Sequence, residues 1–411
     1  MTTTQRNLAT SRPPGAGVRG DLDEELVRRA TELQPLLAEN AARTEADRCV
    51  AEDNIEAMRE AGLFKLMVPK RLGGFETTIE TKIEVSAALA EGCGSTAWIN
   101  ALTNVCAWLT SLLPEQGQLD VFGADPDARV AGVIAPSTDI EKVDGGYVVS
   151  GRWAWSSGCL HATWAIAGVL QRGPDGAPLD LGNVFMPMNQ LAIEDTWYVA
   201  GMKGTGSNTI IAHKVFVPEH RYLSSTQALQ GITPTPFKDE ALYRAAFAPV
   251  LVLILVGPLL GLGRAALKIA LDKAPRRAVS YTRIARQTDS TAFQMKLSEA
   301  AMMLDTATLH AHRAAADIDG FASSGEQMDY LTKARVKADT GWVSRNVRRA
   351  IDTVLDAHGA SGFADSSPMQ RIWRDANTAG RHAVVNPLVT EEVFGKALLG
   401  IGPEGQITDL I

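Results

Sequence analysis

Residues 151–164 read GRWAWSSGCLHATW and hold three of the chain's eight tryptophans, two adjacent hydroxyls, a cysteine and a histidine. A turn-forming Asp144-Gly145-Gly146 and the run Tyr147-Val148-Val149-Ser150 come just before. The segment therefore reads as a hairpin leading into a strand. Alternation along a strand places Trp153 and Trp155 on one face, with Ala154 and Ser156 on the other. The strand breaks at Ser157-Gly158, where backbone amides and short hydroxyls become open to a ligand. Broad rings beside short donors suit a planar aromatic cofactor. A tryptophan-rich core strand ending in an ordinary turn fits the same residues.

Outward from this stretch, residues 126–238 are short runs rich in Val, Ile, Trp and Phe, separated by Pro, Gly and Asp. They read as an all-β domain. Residues 201–207, GMKGTGS, pack three glycines with two hydroxyl residues, but lack the strand-then-helix setting of a phosphate loop. Residues 21–125 carry helical periodicity, including a buried helix with few charges capped near Ser95. Residues 239–411 form long Ala- and Leu-rich helical stretches, as a bundle requires. The expected fold class is α+β, with helices, then strands, then helices. Residues 1–20 mix Thr, Arg, Pro and Gly without an apolar core and read as a flexible tail.

Charge and composition exclude several functions. A formal net charge of -7 argues against a nucleic-acid partner. The longest apolar run, residues 248–262, is interrupted by Pro249 and Gly257, so no membrane span is expected. Cys49, Cys93, Cys106 and Cys159 are widely spaced and form no metal-ligand pattern, nor does any set of His, Asp and Glu. Free thiols and no signal peptide imply a cytoplasmic protein. No GxGxxG follows a strand, so no nicotinamide half is expected.

Four pieces carry a family resemblance: residues 63–74 (LFKLMVPKRLGG) with 93–98 (CGSTAW), 151–158 (GRWAWSSG), 201–207 (GMKGTGS), and 357–363 (AHGASGF) followed by 371–387 (RIWRDANTAGRHAVVNP). In order and spacing the chain resembles the acyl-CoA dehydrogenase fold, and more narrowly its two-component flavin-dependent monooxygenases. The resemblance implies an N-terminal helical domain, a central β-barrel and a C-terminal four-helix bundle assembled as a homotetramer. It also implies reduced FAD or FMN supplied by a separate NAD(P)H-dependent flavin reductase, O2 as co-substrate, and no metal. The implied reaction is hydroxylation of an aromatic or heteroaromatic compound through a flavin C4a-hydroperoxide. The alternatives are N-oxygenation of an amino sugar nucleotide and acyl-CoA dehydrogenase-type desaturation. The second is disfavoured because no carboxylate lies between Asp375 and Glu391.

Carried over residue by residue, the resemblance implies that His382 and Ser157 act at the flavin. His382 would donate a hydrogen bond to the peroxide. Trp155, Ser156, Ser157, Thr205 and Ser207 would line the ring system. Arg283 or Arg286 would hold the phosphate, and His358 with Gly359 would begin a loop approaching the flavin. Trp98, Asn104, Cys106 and His161 are the pocket candidates. Relatives that hydroxylate phenols resemble this chain but carry a histidine near position 106. A thiol there is a poor substitute, which favours an electron-rich heteroaromatic. Ordinary structural roles remain open for each: a core helix around Trp98 and Asn104, a turn hydroxyl at Ser157, a satisfied histidine at 161.

Overall fold

The computed structural model describes residues 22–173 and 175–411; the tail expected over residues 1–20 lies outside them. Helix α1 (Glu24–Glu32) starts at Asp23, whose carboxylate accepts from Leu26 N. It is parted from α2 (Gln34–Asp47) at Leu33, because Pro35 suits only a first turn. Helix α2 ends at Arg48, whose φ of 53° turns the chain into α3 (Glu52–Glu60). Helix α4 (Ile79–Gly92) is capped by Thr78, and Asp319 accepts from its first two amides, Ile79 and Glu80. Helix α5 (Gly94–Ser111) is buried almost throughout and has Cys93 as its N-cap with no side-chain cap bond, two residues earlier than the expected cap near Ser95. Helix α6 (Glu115–Phe122) closes this block.

The eight strands are β1 (Val130–Val133), β2 (Asp139–Val143), β3 (Gly146–Ser156), β4 (Trp164–Arg172), β5 (Pro178–Pro187), β6 (Ala192–Glu194), β7 (Asn208–Pro218) and β8 (Tyr222–Ser224). Their order is β6-β7-β3-β2-β4-β5-β8, with β1 parallel to β4. The path ends at β6 and β8, so the expected barrel is not closed. The reason is the five-residue β2, which pairs antiparallel with β3 at one end and parallel with β4 at the other. The sheet folds there and packs its halves around Trp153, Val149, Ile210 and Val169. Trp153 Nε1 spans the two halves and donates to Gly168 O at 2.7 Å.

Strand alternation fails at the end of β3. Pairing with β7 shifts between Trp153 and Ser156, and Trp155 has a φ of 68°. This bulge leaves Trp153 fully buried and Trp155 72% exposed, so the two rings do not share a face.

Helices α7 (Ser225–Leu229), α8 (Phe247–Leu253), α9 (Val256–Lys273), α10 (Thr291–Ser324), α11 (Tyr330–His358), α12 (Pro368–Ala379) and α13 (Pro387–Leu398) follow. Helix α11 packs against α9, α10 and α13, which makes a bundle, and α9 also packs on α4. Gly261 permits that second contact, since a Cβ there would stand 2.0 Å from Ala87 O. Phe247–Arg276 has a window with mean hydropathy 2.2 and is long and apolar enough to cross a membrane, contrary to the sequence expectation. Protein buries 89% of that window. A fork from Arg264 to Glu84, at 2.8 and 2.9 Å, joins α9 to α4. His312 of α10 also meets Glu84, at 2.7 Å.

Candidate active site

The first turns of α5 are the floor on which distant segments converge. A Cβ added to Gly158 would stand 3.1 Å from Ile99 Cγ2, and one on Gly204 would stand 3.0 Å from Ser95 Cβ. A Cβ on Gly94 would stand 3.4 Å from Asp375 Oδ2. Trp98 packs edge-on against His382, with ring centroids 5.8 Å apart. Positions 94, 95, 98 and 99 share one helical face, so a single surface collects the β3 turn, the 201–207 loop, α12 and His382.

Ser157, Thr205 and Ser207 are brought together and are buried. Ser157 Oγ lies 2.7 Å from Ser207 Oγ, which lies 2.7 Å from Thr205 Oγ1. Thr205 Oγ1 donates onward to Met202 O at 2.8 Å. A hydroxyl has one proton, so the direction of the whole chain follows: Ser157 donates to Ser207, and Ser207 donates to Thr205. The lone pairs of Ser157 stay available to a donor. Gly158 N donates to Thr205 O at 2.9 Å and ties the turn to the loop. Ser156 Oγ is buried with no hydrogen-bond partner among the described residues.

The 201–207 loop is held from behind. Arg374 donates to Ala200 O at 2.6 Å and also pairs with Glu45. Asp375 Oδ1 accepts from Met202 N. Gly201 lies so close to α12 that a Cβ would meet Arg374 O at 2.1 Å. Burial pushes the Asp375 carboxyl up to about 6; Glu45 adds to this, against the Met202 hydrogen bond, Arg371 and Arg374.

His382 keeps exposed surface while one edge of its ring packs on Trp98. Desolvation there holds its pKa below the ordinary histidine value and keeps it neutral at pH 7. Its Nδ1 accepts from Val384 N at 3.5 Å, so the proton sits on Nε2 and points away from its own backbone.

The other candidates fall elsewhere. Asn104 accepts from Leu66 N and Met67 N and donates to Leu63 O and Asn100 O. Three of these four hydrogen bonds clamp the 63–67 segment. Cys106 is buried against Gly132, and desolvation pushes its thiol up to about 12. His161 faces Cys49 and Glu52. Arg286 pairs with Asp289 at 2.9 Å, and Arg283 is exposed. Arg277, which the sequence did not single out, is the arginine that reaches His358 and Ser361. Burial, with Arg277 and Lys273 adding to it, pushes the His358 pKa down to about 4. Gly359, with a φ of 80° and open space beside it, borders a concavity of about 420 Å3 lined also by Asp352, Asp356, Phe363 and Trp373. No contact among the described residues joins this concavity to the Ser157 chain.

Two family models match the chain. Residues 24–117 match the acyl-CoA dehydrogenase N-terminal domain, and residues 253–387 match the acyl-CoA dehydrogenase C-terminal domain. The chain is 31% identical over 380 residues to the flavin-dependent monooxygenase oxygenase subunit HsaA of Rhodococcus jostii, spanning 91% of this chain and 98% of that protein. It is 34% identical over 400 residues to the oxygenase component of an FADH(2)-dependent resorcinol hydroxylase from a Rhizobium species, spanning 93% and 95%. Among solved structures, XiaF from a Streptomyces species, in complex with FADH2 and glycerol, aligns with a TM-score of 0.87 at 34% identity, over 92% of this chain and 96% of that one. The chain belongs to the oxygenase components of two-component flavin-dependent monooxygenases.

The carboxylates of this oxygenase agree with that class rather than with thioester desaturation. Asp375 is buried and occupied by Met202 N, and Glu391 pairs with Arg345. Neither stands free as a base on the floor formed by α5.

Proposed function

We propose that this oxygenase takes reduced FAD or FMN from a separate NAD(P)H-dependent flavin reductase and uses O2 to hydroxylate an aromatic or heteroaromatic ring. The one-way hydroxyl chain carries the reading. It leaves Ser157 Oγ as an acceptor, which matches the N5–H that a reduced flavin has and an oxidised flavin lacks. The orphan Ser156 Oγ offers a second hydrogen bond, and the exposed Trp155 indole offers a flat face. Bound reduced flavin supplies the electrons that activate O2. The neutral His382 donates from Nε2 toward the oxygen being transferred, and Trp98 packs the ring to be oxidised against it. Arg277, with its planar fork and His358 beside it, is the side chain suited to the flavin phosphate, in place of Arg283 or Arg286.

The Trp98 wall favours an electron-rich heteroaromatic over a plain phenol. The Cys106 thiol is held neutral and buried, and Asn104 is fully committed, so neither polarises a phenolic hydroxyl. Exposed Leu388, Leu398 and Leu399 on and after α13 support self-association, as a homotetramer, and the four free cysteines fit work in the cytoplasm.

The test supplies the purified protein with chemically reduced FAD or FMN, isotopically labelled O2, and indole or phenol. One labelled oxygen atom in the aromatic product, formed with reduced but not oxidised flavin, is the expected result. Flavin oxidation that yields only hydrogen peroxide with every ring compound would overturn the reading.

A further inference from the structure

A second cluster of reactive side chains lies outside the site described above. Cys49 Sγ is 3.2 Å from His161 Nε2, and His161 Nδ1 is 3.3 Å from Glu52 Oε2. A thiol, an imidazole and a carboxylate in hydrogen-bonded series are the arrangement by which a nucleophile is activated and its base oriented. The three residues come from different places. Cys49 follows the left-handed Arg48 at the end of α2, Glu52 opens α3, and His161 sits in the turn between β3 and β4. Arg129 fixes that turn by donating to His161 O at 2.6 Å.

Thiol and imidazole both rest uncharged, so the thiolate forms only as His161 takes the proton during attack. Burial, then Glu52 and Asp47, raises the Cys49 pKa, so the thiol rests protonated. Burial lowers the His161 pKa, so the imidazole rests neutral and able to accept a proton. Glu52 keeps 78% of its side chain exposed and fixes the Nδ1–H tautomer, which leaves the Nε2 lone pair facing sulfur. The competing acceptor for the thiol proton is Val50 O at 3.6 Å, a longer contact. Cys49 is half-buried, while Cys93, Cys106 and Cys159 are buried.

We propose that Cys49, His161 and Glu52 form a second reactive centre, in which His161 activates the Cys49 thiol for oxidation by hydrogen peroxide to a sulfenic acid. In the step, His161 Nε2 takes the thiol proton as sulfur attacks one peroxide oxygen. The S–O bond forms, the O–O bond breaks, and the leaving hydroxide receives a proton from the imidazolium and departs as water. Sulfur loses two electrons and the peroxide gains them. Hydrogen peroxide is the two-electron product of reduced flavin and O2, so an oxygenase that loses its oxygen without transferring it would make the oxidant locally. The centre adjoins the 201–207 loop: a Cβ on Gly206 would stand 3.1 Å from Arg48 O, and Cys159 Sγ donates to Gly206 O at 3.4 Å. Oxidation of Cys49 therefore adds a polar atom one residue from the Arg48 carbonyl that lies against Gly206 of that loop.

The test uses the flavin-free full chain with added hydrogen peroxide, so it is independent of the proposed hydroxylation. Sulfenic acid is trapped with dimedone and located by peptide mass spectrometry, with melting temperatures as the folding control. Trapping at Cys49 is expected, slowed roughly tenfold or more in His161→Gln and several-fold in Glu52→Gln. Glu52 is exposed, so its variant gives an answer even if His161→Gln fails to fold. Two results overturn the proposal: Cys49 left unmodified where free glutathione is oxidised, or both folded variants oxidised at the wild-type rate, the behaviour of a merely accessible thiol.

Discussion

Replacing Asp375 with Asn should change the pH dependence of stability in a direction the structure dictates. Asp375 Oδ1 accepts from Met202 N and holds the loop that carries Thr205 and Ser207. Its carboxyl, ordinarily at 3.8, is pushed up to about 6 chiefly by burial. A carboxyl with a raised folded-state pKa binds its proton more tightly in the native protein than in the unfolded chain. Its contribution is therefore most favourable below 3.8, declines as pH rises toward 6, and stays unfavourable above that. At 1.36 kcal/mol per pH unit the full penalty is about 3 kcal/mol at pH 8. Asp375→Asn keeps an acceptor for Met202 N and removes the titration. Guanidinium melts of wild type and variant, followed by tryptophan fluorescence between pH 4 and 8, measure the difference. The variant should match or fall slightly below wild type at pH 4 and overtake it by up to about 3 kcal/mol above pH 6. A difference that does not change with pH would refute burial as the cause of the shift.

Asn104→Ala strands Leu66 N and Met67 N in the core and should cost about 3 kcal/mol of stability, read from thermal melts, with no change in substrate preference. His382→Ala should lower hydroxylated product per reduced flavin roughly tenfold and raise hydrogen peroxide to match, measured by chromatography and a peroxide assay. Because burial holds His382 below the ordinary histidine pKa of 6.5, and the charged ring would keep the same Nε2–H, wild-type coupling should survive as pH falls through 6.5. Arg277→Gln should weaken flavin binding by about tenfold or more in anaerobic titrations, whereas Arg286→Gln, whose partner is Asp289, should leave it unchanged.

Local chemistry made much of this protein legible before folding. Runs of β-branched and aromatic residues between helical blocks gave the α, β, α order, because periodicity is a property of neighbours along the chain. The Ser157-Gly158 break and the GMKGTGS loop stood out because small and hydroxyl-bearing residues were clustered in sequence. Trp155 misled, since one extra residue in β3 reverses every later side chain, and only pairing with β7 reveals the bulge. Asn104 was legible as a polar side chain needing partners, but those partners lie on a segment about forty residues earlier, and they made it a clamp rather than a pocket wall.

The sequence by itself determined the element types, the flavin-oxygenase class through its four short motifs, and the hydroxyl residues of the site. The element types follow from backbone propensity and side-chain chemistry that each residue carries regardless of its surroundings, and the class from the family resemblance that the four motifs carry. The tertiary structure alone decided the direction of the Ser157, Ser207 and Thr205 chain, the contact of Arg277 with His358, and the meeting of Cys49 with His161. Each of these depends on distances of a few ångströms between residues far apart in the chain, and a hydrogen bond is made or lost over less than one.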